Sequence, residues 1–216
     1  MLNNKHIFWE ALLITLFIFG LGILLGIYIE NGRASDISEI YLQSEINLLD
    51  IRVQTEILNL NNINCAQIIQ KNIEFGDEIY KDAEILGRYE GAGKLTDVLL
   101  EHHRRYDALR ALFWVNSIRI KEKCNDQFHT VVYLYDYNPK TSEEKTKQYV
   151  FSKFLYDLKQ EQGNNIVLIP IARNLNLTSV DLLANTYNIK ETSIIVDENL
   201  TITRLEDLEK INAEID

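Results

Sequence analysis

The sequence predicts a membrane-anchored protein in three parts: one apolar helix, an all-helical stretch, and a small α/β domain at the C-terminus. Three observations carry this. Residues 11–29 hold no charge. Residues 35–124 repeat apolar positions at helical spacing, and residues 128–216 alternate short apolar runs with amphipathic segments. A chain of 216 residues has room for an anchor and one or two small domains. Pro139 and Pro170 are its only prolines, and it has neither a Ser/Gly linker nor an internal repeat, so it reads as ordered.

The first element is the uncharged run. Nineteen residues in a helix rise about 28 Å, close to the roughly 30 Å of a hydrocarbon core. Trp9 and Tyr28 stand at its ends, where amphipathic rings favour the interface. A cleaved signal peptide is the alternative, and Gly32-Arg33-Ala34 offers a small-x-small cleavage pattern, although signal cores are usually shorter. Lys5 and His6 precede the span, whereas Glu30, Arg33 and Asp36 follow it. That bias predicts residues 1–10 in the cytoplasm and the later domains outside. Gly22 and Gly26 match a small-xxx-small pattern that lets membrane helices approach closely, a candidate face for homo-oligomers.

Residues 36–60 read as a long helix with Ser35 as N-cap. Ile37, Tyr41, Leu48, Ile51 and Leu58 form one apolar stripe, with Ser44 and Thr55 as polar interruptions of the same seam. Leu42, Ile46, Leu49, Val53, Ile57 and Leu60 form a second. Two stripes predict cover on more than one side, in a bundle or an oligomer, with an intrachain bundle preferred. A second helix over 65–89 buries Ile68, Ile69, Ile73, Ile79, Ala83 and Leu86; a third over 94–123 buries Leu95, Leu99, Tyr106, Leu109, Phe113 and Ile120. The Gly-rich break at 90–93 makes them an antiparallel hairpin, and residues 35–124 are expected to form a three-helix stalk domain.

The last domain, 128–216, begins with the strand His129–Tyr135, then a polar loop and an amphipathic helix. The strand Ile166–Ala172, a helix near 179–187, a strand at 192–196, a turn, a short strand at 200–204 and a final helix follow.

Composition and motifs exclude more than they assign. A formal net charge of −10 with no basic cluster argues against nucleic acid, which needs grouped Lys and Arg. The segment 91–96, Gly-Ala-Gly-Lys-Leu-Thr, fails as a phosphate loop: Arg88 replaces the first glycine, Leu95 follows the lysine, and a helix precedes it. Glu101-His102-His103 fails as a metal site because neighbouring helical residues diverge by about 100°; these residues are expected to be partly exposed. The segment 197–201 is too short for a calcium loop and reads as a turn. Asn176 and Asn199 open glycosylation sequons if the domain is outside. No catalytic set, metal set or cofactor motif emerges.

Cys65 opens the helical hairpin and Cys124 closes it. Counted outward from the Gly-rich break, the two lie within about two helical turns of one another. A disulfide is expected, contributing on the order of 4 kcal/mol in the chain-entropy model and requiring an oxidising compartment. Two unrelated thiols, or a working dithiol, are the alternatives.

The order strand, helix, strand, helix, strand, strand, helix resembles the thioredoxin-like fold. Leu183-Ala-Asn-Thr-Tyr-Asn-Ile189, continuing to Val196, is similar to the family's helix ending in a Tyr-x-Ile segment, with the loop and strand that begin at its cis-Pro-Thr. The run from Val131 to Asn138 resembles its first core strand entering the active-site loop. The chain departs from the family at the chemistry. The place of Cys-x-x-Cys reads Asn138-Pro-Lys-Thr-Ser-Glu-Glu-Lys145, and Thr192 stands at the cis-Pro position, where a trans bond is expected. Thiolate exchange needs a thiolate. The resemblance therefore implies the fold without its nucleophile, with Tyr135, Tyr137, Asn138 and Thr192 as a candidate edge for binding a peptide or protein. The function this implies is binding or positioning of a protein partner at the outer face of the membrane. The alternatives are a divergent thiol-disulfide oxidoreductase using Cys65 and Cys124, and a purely structural scaffold.

Overall fold

Short runs of Val, Ile and Leu pair into one sheet whose longer strands are covered on both faces, while Thr201 of the shortest is exposed. The computed structural model describes residues 4–60, 62–90, 97–125 and 128–215. Strands β1 (His129–Tyr135), β2 (Ile166–Ala172), β3 (Ser193–Val196) and β4 (Leu200–Ile202) lie in the order β2-β1-β3-β4. β1 runs parallel to β2, with His129 opposite Ile166 and Tyr135 opposite Ala172. β3 is antiparallel to both β1 and β4. Residues 130–134 of β1 and all of β3 are buried, as expected of strands covered on two sides. Pro170 sits on β2, an edge strand, where a missing ladder donor is tolerated.

Among the described residues the α-helices are α1 (Asn4–Leu58), α2 (Cys65–Glu90), α3 (Asp97–Cys124), α4 (Ser142–Gln162), α5 (Thr178–Thr186) and α6 (Glu209–Ile215). A capping box starts α4: Glu144 N–H donates to the Thr141 hydroxyl at 3.1 Å, and Thr141 N–H donates to the Glu144 carboxylate at 3.1 Å. On one face of the sheet, Val131, Tyr133, Leu168, Ile194 and Ile202 pack with Phe151, Leu155 and Leu158 of α4 and Ile211 of α6. On the other, α2 and α3 lie on β2, α3 also reaches β1, and α5 packs on α3. Gly76 of α2 sits so near β2 that a Cβ there would approach Val167 Cγ1 at 3.0 Å.

The chain divides into two compact units, Met1–Gln43 and Ser44–Asp216. In the first, Phe8–Ile29 is a helix of 22 residues, long and apolar enough to cross a membrane. The Thr15 hydroxyl donates to Ala11 O at 2.8 Å, so this hydroxyl within the span is satisfied. A Cβ on Gly22 or Gly26 would meet nothing within 4 Å.

Three expectations are corrected. Position 35 is not a helix start: it lies inside α1, which runs on to Leu58. The helices do not form a domain apart from the sheet; α2 and α3 are its second layer, within one compact unit. And α3 is not one-sided. Beside the expected Tyr106, Leu109, Phe113 and Ile120, it buries Arg110, Trp114, Asn116, Ser117 and Lys121, because it has neighbours in α2, α5 and the sheet at once. Its polar residues find partners across the layers. Thr55, an interruption of the first α1 stripe, donates to Asn116 Oδ1 at 3.0 Å, and Asn72 Nδ2 donates to the Ser117 hydroxyl at 3.1 Å. The break at 91–93 and the rejected phosphate loop at 91–96 lie outside the described residues.

Cys65 and Cys124 are joined by a disulfide across a separation of 59 residues. It ties the start of α2 to the end of α3, as the spacing predicts.

The turn between β3 and β4 holds a second tie. Asp197 and Glu198 both have left-handed backbone, φ 48° and 60°, a conformation hairpins normally give to Asn-Gly. Here the two carboxylates dock the turn on α3. Lys121 Nζ donates to Asp197 at 2.5 Å and to Glu198 at 3.3 Å, and Trp114 Nε1 donates to Glu198 at 2.8 Å. Thr130 N–H and His129 Nδ1 complete the Asp197 carboxylate at 2.9 and 2.5 Å. Partial burial pushes the Asp197 carboxyl up, but the bonds from Lys121, His129 and Thr130 outweigh it and hold the group below its ordinary value.

Two predictions follow from these ties. Replacing both cysteines with serine should lower stability by about 4 kcal/mol, less any residual structure in the unfolded chain, read by urea denaturation. Lys121→Met should cost about 3 kcal/mol, since it strands two partly buried carboxylates. Because the folded value of Asp197 lies below the unfolded one, its contribution is complete above about pH 4 and is lost as pH falls through the folded value. Denaturation at stepped pH should show that acid-dependent loss shrinking in the Lys121→Met protein.

Candidate functional site

Parallel strands β1 and β2 end side by side, and the loops that leave them define an edge. Arg173 N–H donates to Tyr135 O at 2.8 Å, and Tyr137 N–H donates to Asn174 Oδ1 at 2.8 Å, which fixes the two loops to each other. Asp136 pairs with Arg173 Nη2 at 2.9 Å, while Arg173 Nη1 donates to Lys190 O at 3.0 Å, bringing in the segment before β3. The Gln148 amide meets the Thr192 hydroxyl at 3.1 Å. Turned so that its oxygen accepts from Thr192, it also accepts from Asp136 N–H at 2.9 Å and donates to Asp136 O at 3.2 Å.

The structure brings the four predicted edge residues to this one end of the sheet, but not to one surface. Asn138 is exposed and Tyr135 and Tyr137 are half-buried. Thr192 is 4% exposed, so it braces Gln148 from within instead of facing a ligand.

What the sequence reading missed is the wall that α2 and α3 add. Tyr80, His103 and Arg110 join Tyr135, Tyr137 and Gln148 around a cavity of about 340 Å³. His103, read from sequence as partly exposed, is 7% exposed. Its ring lies 4.4 Å from the Tyr137 ring centroid, and its Nε2 is 3.0 Å from the Tyr135 hydroxyl and 3.3 Å from Asp107 Oδ2. Arg110 is fully buried, donates to Asp107 Oδ1 at 2.9 Å, and has its guanidinium 4.3 Å from the Tyr106 ring centroid. Burial opposes the charge of Arg110, and the Asp107 carboxylate with the Tyr135 and Tyr106 hydroxyls overcomes it, holding the group above the ordinary arginine value. Tyr133 stacks on Tyr135 at 5.4 Å, and burial pushes its hydroxyl well up, so it is a neutral donor to Gln148 O at 3.2 Å. Positions 103, 107 and 110 form a polar line at helical spacing, but Glu101, Arg104 and Arg105 stand beside them in the sequence, so nothing there marks that line as the buried one.

Chemically the site offers phenol hydroxyls, an imidazole and aromatic faces beside an internally balanced Asp107–Arg110 pair. Neither cysteine lines the cavity, and Cys124 is 3% exposed at the other end of α3. These features suit recognition of polar and aromatic groups. No protein-family model matches the chain, and neither a curated protein nor a solved structure matches it.

The buried pair makes a test of this wall. Asp107→Leu should cost about 3–5 kcal/mol because it leaves a guanidinium buried alone, and adding Arg110→Met should recover most of it. Chemical denaturation of the single and double variants reads the difference.

Proposed function

We propose that the chain is a single-pass membrane protein whose Ser44–Asp216 unit is a redox-inactive, thioredoxin-like domain that binds or positions a protein partner outside the membrane. The observation that carries this is the fate of the sulfur. The chain has two cysteines, and both are consumed in one disulfide, while residues 138–145, where the resembled family keeps its nucleophile, hold none. A persistent disulfide suits an extracytoplasmic compartment, in keeping with Lys5 and His6 before the apolar helix. The strand order β2-β1-β3-β4, with β1 and β2 parallel and β3 and β4 antiparallel to their neighbours, supports the thioredoxin-like reading. The edge formed by Tyr135, Tyr137 and Asn138, backed by the cavity, is the face assigned to the partner. The oxidoreductase alternative needs an accessible thiolate, which the burial of Cys124 disfavours.

The full chain in its native membranes tests this on two counts. Dithiol-driven insulin reduction should not exceed the rate of the dithiol alone; turnover that vanishes on replacing Cys65 and Cys124 would restore the oxidoreductase reading. A photo-reactive residue at Asn138 should give a discrete protein adduct, and one at the exposed Lys153 of α4 should not; equal labelling at both positions would remove the edge from the account.

A further inference from the structure

The C-terminal part of α1 and the turn after it carry an apolar face that no other described residue covers. Asn47, Ile51, Thr55 and Leu58 are buried against the domain, at 9% exposure or less. Ile46, Leu49, Val53 and Leu60 are between 57 and 62% exposed, and Ile57 is 41% exposed. At about 100° per residue Ile46, Leu49, Val53 and Ile57 fall within an arc of roughly 80° of α1, on the opposite side from the buried four, and Leu60 lies in the turn that follows. The two stripes seen in the sequence are therefore two faces, of which the fold uses one.

Three observations say what covers the other. Hydrocarbon does not suit it, because exposed Glu45, Asp50, Arg52 and Glu56 stand in the same turns. Spacings of three and four residues produce a line along the helix that can meet its own copy, as a two-fold seam requires. Its extent is right for a pair: roughly 500 Å² of apolar surface from each copy gives about 1,000 Å² in all, the lower end for a specific interface. The line also runs into a cleft of about 650 Å³, where Ile57 and Leu60 join Leu58, Phe75 and Ile120. Copies anchored in one bilayer share a direction and a height, which raises their effective concentration.

We infer that Ile46, Leu49, Val53, Ile57 and Leu60 form the seam of a parallel homodimer, in which α1 of one copy packs on α1 of the other. The parallel sense rests on the membrane-anchored reading; the seam itself rests on the exposed face. This surface is separate from the Gly22 and Gly26 face predicted for the apolar span.

Single cysteines at Ile46, Val53 and Ile57 in the full chain, oxidised mildly in native membranes, test the seam. The native cysteines are already bonded to each other. Covalent dimers are expected at all three positions, because a parallel seam sets each residue beside its own copy, and none at Lys153→Cys. In detergent, Leu49→Glu with Val53→Glu should weaken self-association at least tenfold by mass measurement, with the midpoint of thermal unfolding unchanged. Cross-linking at only one position points to an antiparallel pair and overturns the parallel seam. No dimer, adducts to a different protein only, or a large fall in the unfolding midpoint overturns the proposal outright. Alkaline extraction separates it from the reading beneath: a released chain that still cross-links at all three positions refutes the anchor and keeps the seam, while a retained chain that never cross-links refutes the seam and keeps the anchor.

Discussion

A buried ammonium holds this structure together across its layers. Lys121 is 6% exposed, yet it sits on a helix facing a sheet. A lone cation there would be costly. It is tolerated because two adjacent residues of one turn, Asp197 and Glu198, both adopt left-handed backbone and present their carboxylates to it. The ion pairs offset both the strain of that turn and the cost of burying the charge. The consequence is positional. With Trp114 donating to the same Glu198 and stacking on Tyr187 at 5.1 Å, α3 is fixed against β1, β3 and the end of α5. The disulfide then fixes the start of α2 to the end of α3, so one anchored helix sets the place of another.

That arrangement makes the helical layer part of the α/β unit. An open thioredoxin-like edge, as proposed, would present only its loops and the ends of its strands. Here His103 and Arg110 of α3 and Tyr80 of α2 close over the end of β1 and turn the edge into a lined cavity. The buried charges are balanced inside the wall by Asp107, which keeps the cavity from needing a charged occupant. Four tyrosines, His103 and Gln148 line it beside Arg110 and Asp136, whose charges are each paired within the protein, with Asp107 and with Arg173.

α1 plays two parts because its two faces differ. One is held by Ile51 and Leu58 and by the Thr55–Asn116 bond. The other, with Ile46, Leu49, Val53 and Ile57, is exposed among the described residues. A helix apolar on opposite faces has more surface to hide than one domain can cover, which is the physical ground for assigning its outer face to a second copy.

Much of this was legible in the residues. The uncharged run, the helical spacing at 65–89 and 94–123, the Cys65–Cys124 pair and the strand-helix order after residue 128 follow from local periodicity, length and chain geometry, and within the described residues the structure carries them, the third helix from Asp97 on. The second stripe on α1 was legible too, though not which stripe the fold would use. The sequence did not show that α2 and α3 belong to the sheet, because an apolar helical face is the same whether it meets a helix or a strand. Nor did it show that His103, Arg110 and Lys121 are buried, since a charged residue reads as exposed until its partner is known. Those partners, Asp107 nearby and Asp197 some 76 residues away, are chosen by tertiary packing alone. Local patterns determined the elements; the pairing of buried charges across the chain decided how the layers meet and where the cavity lies.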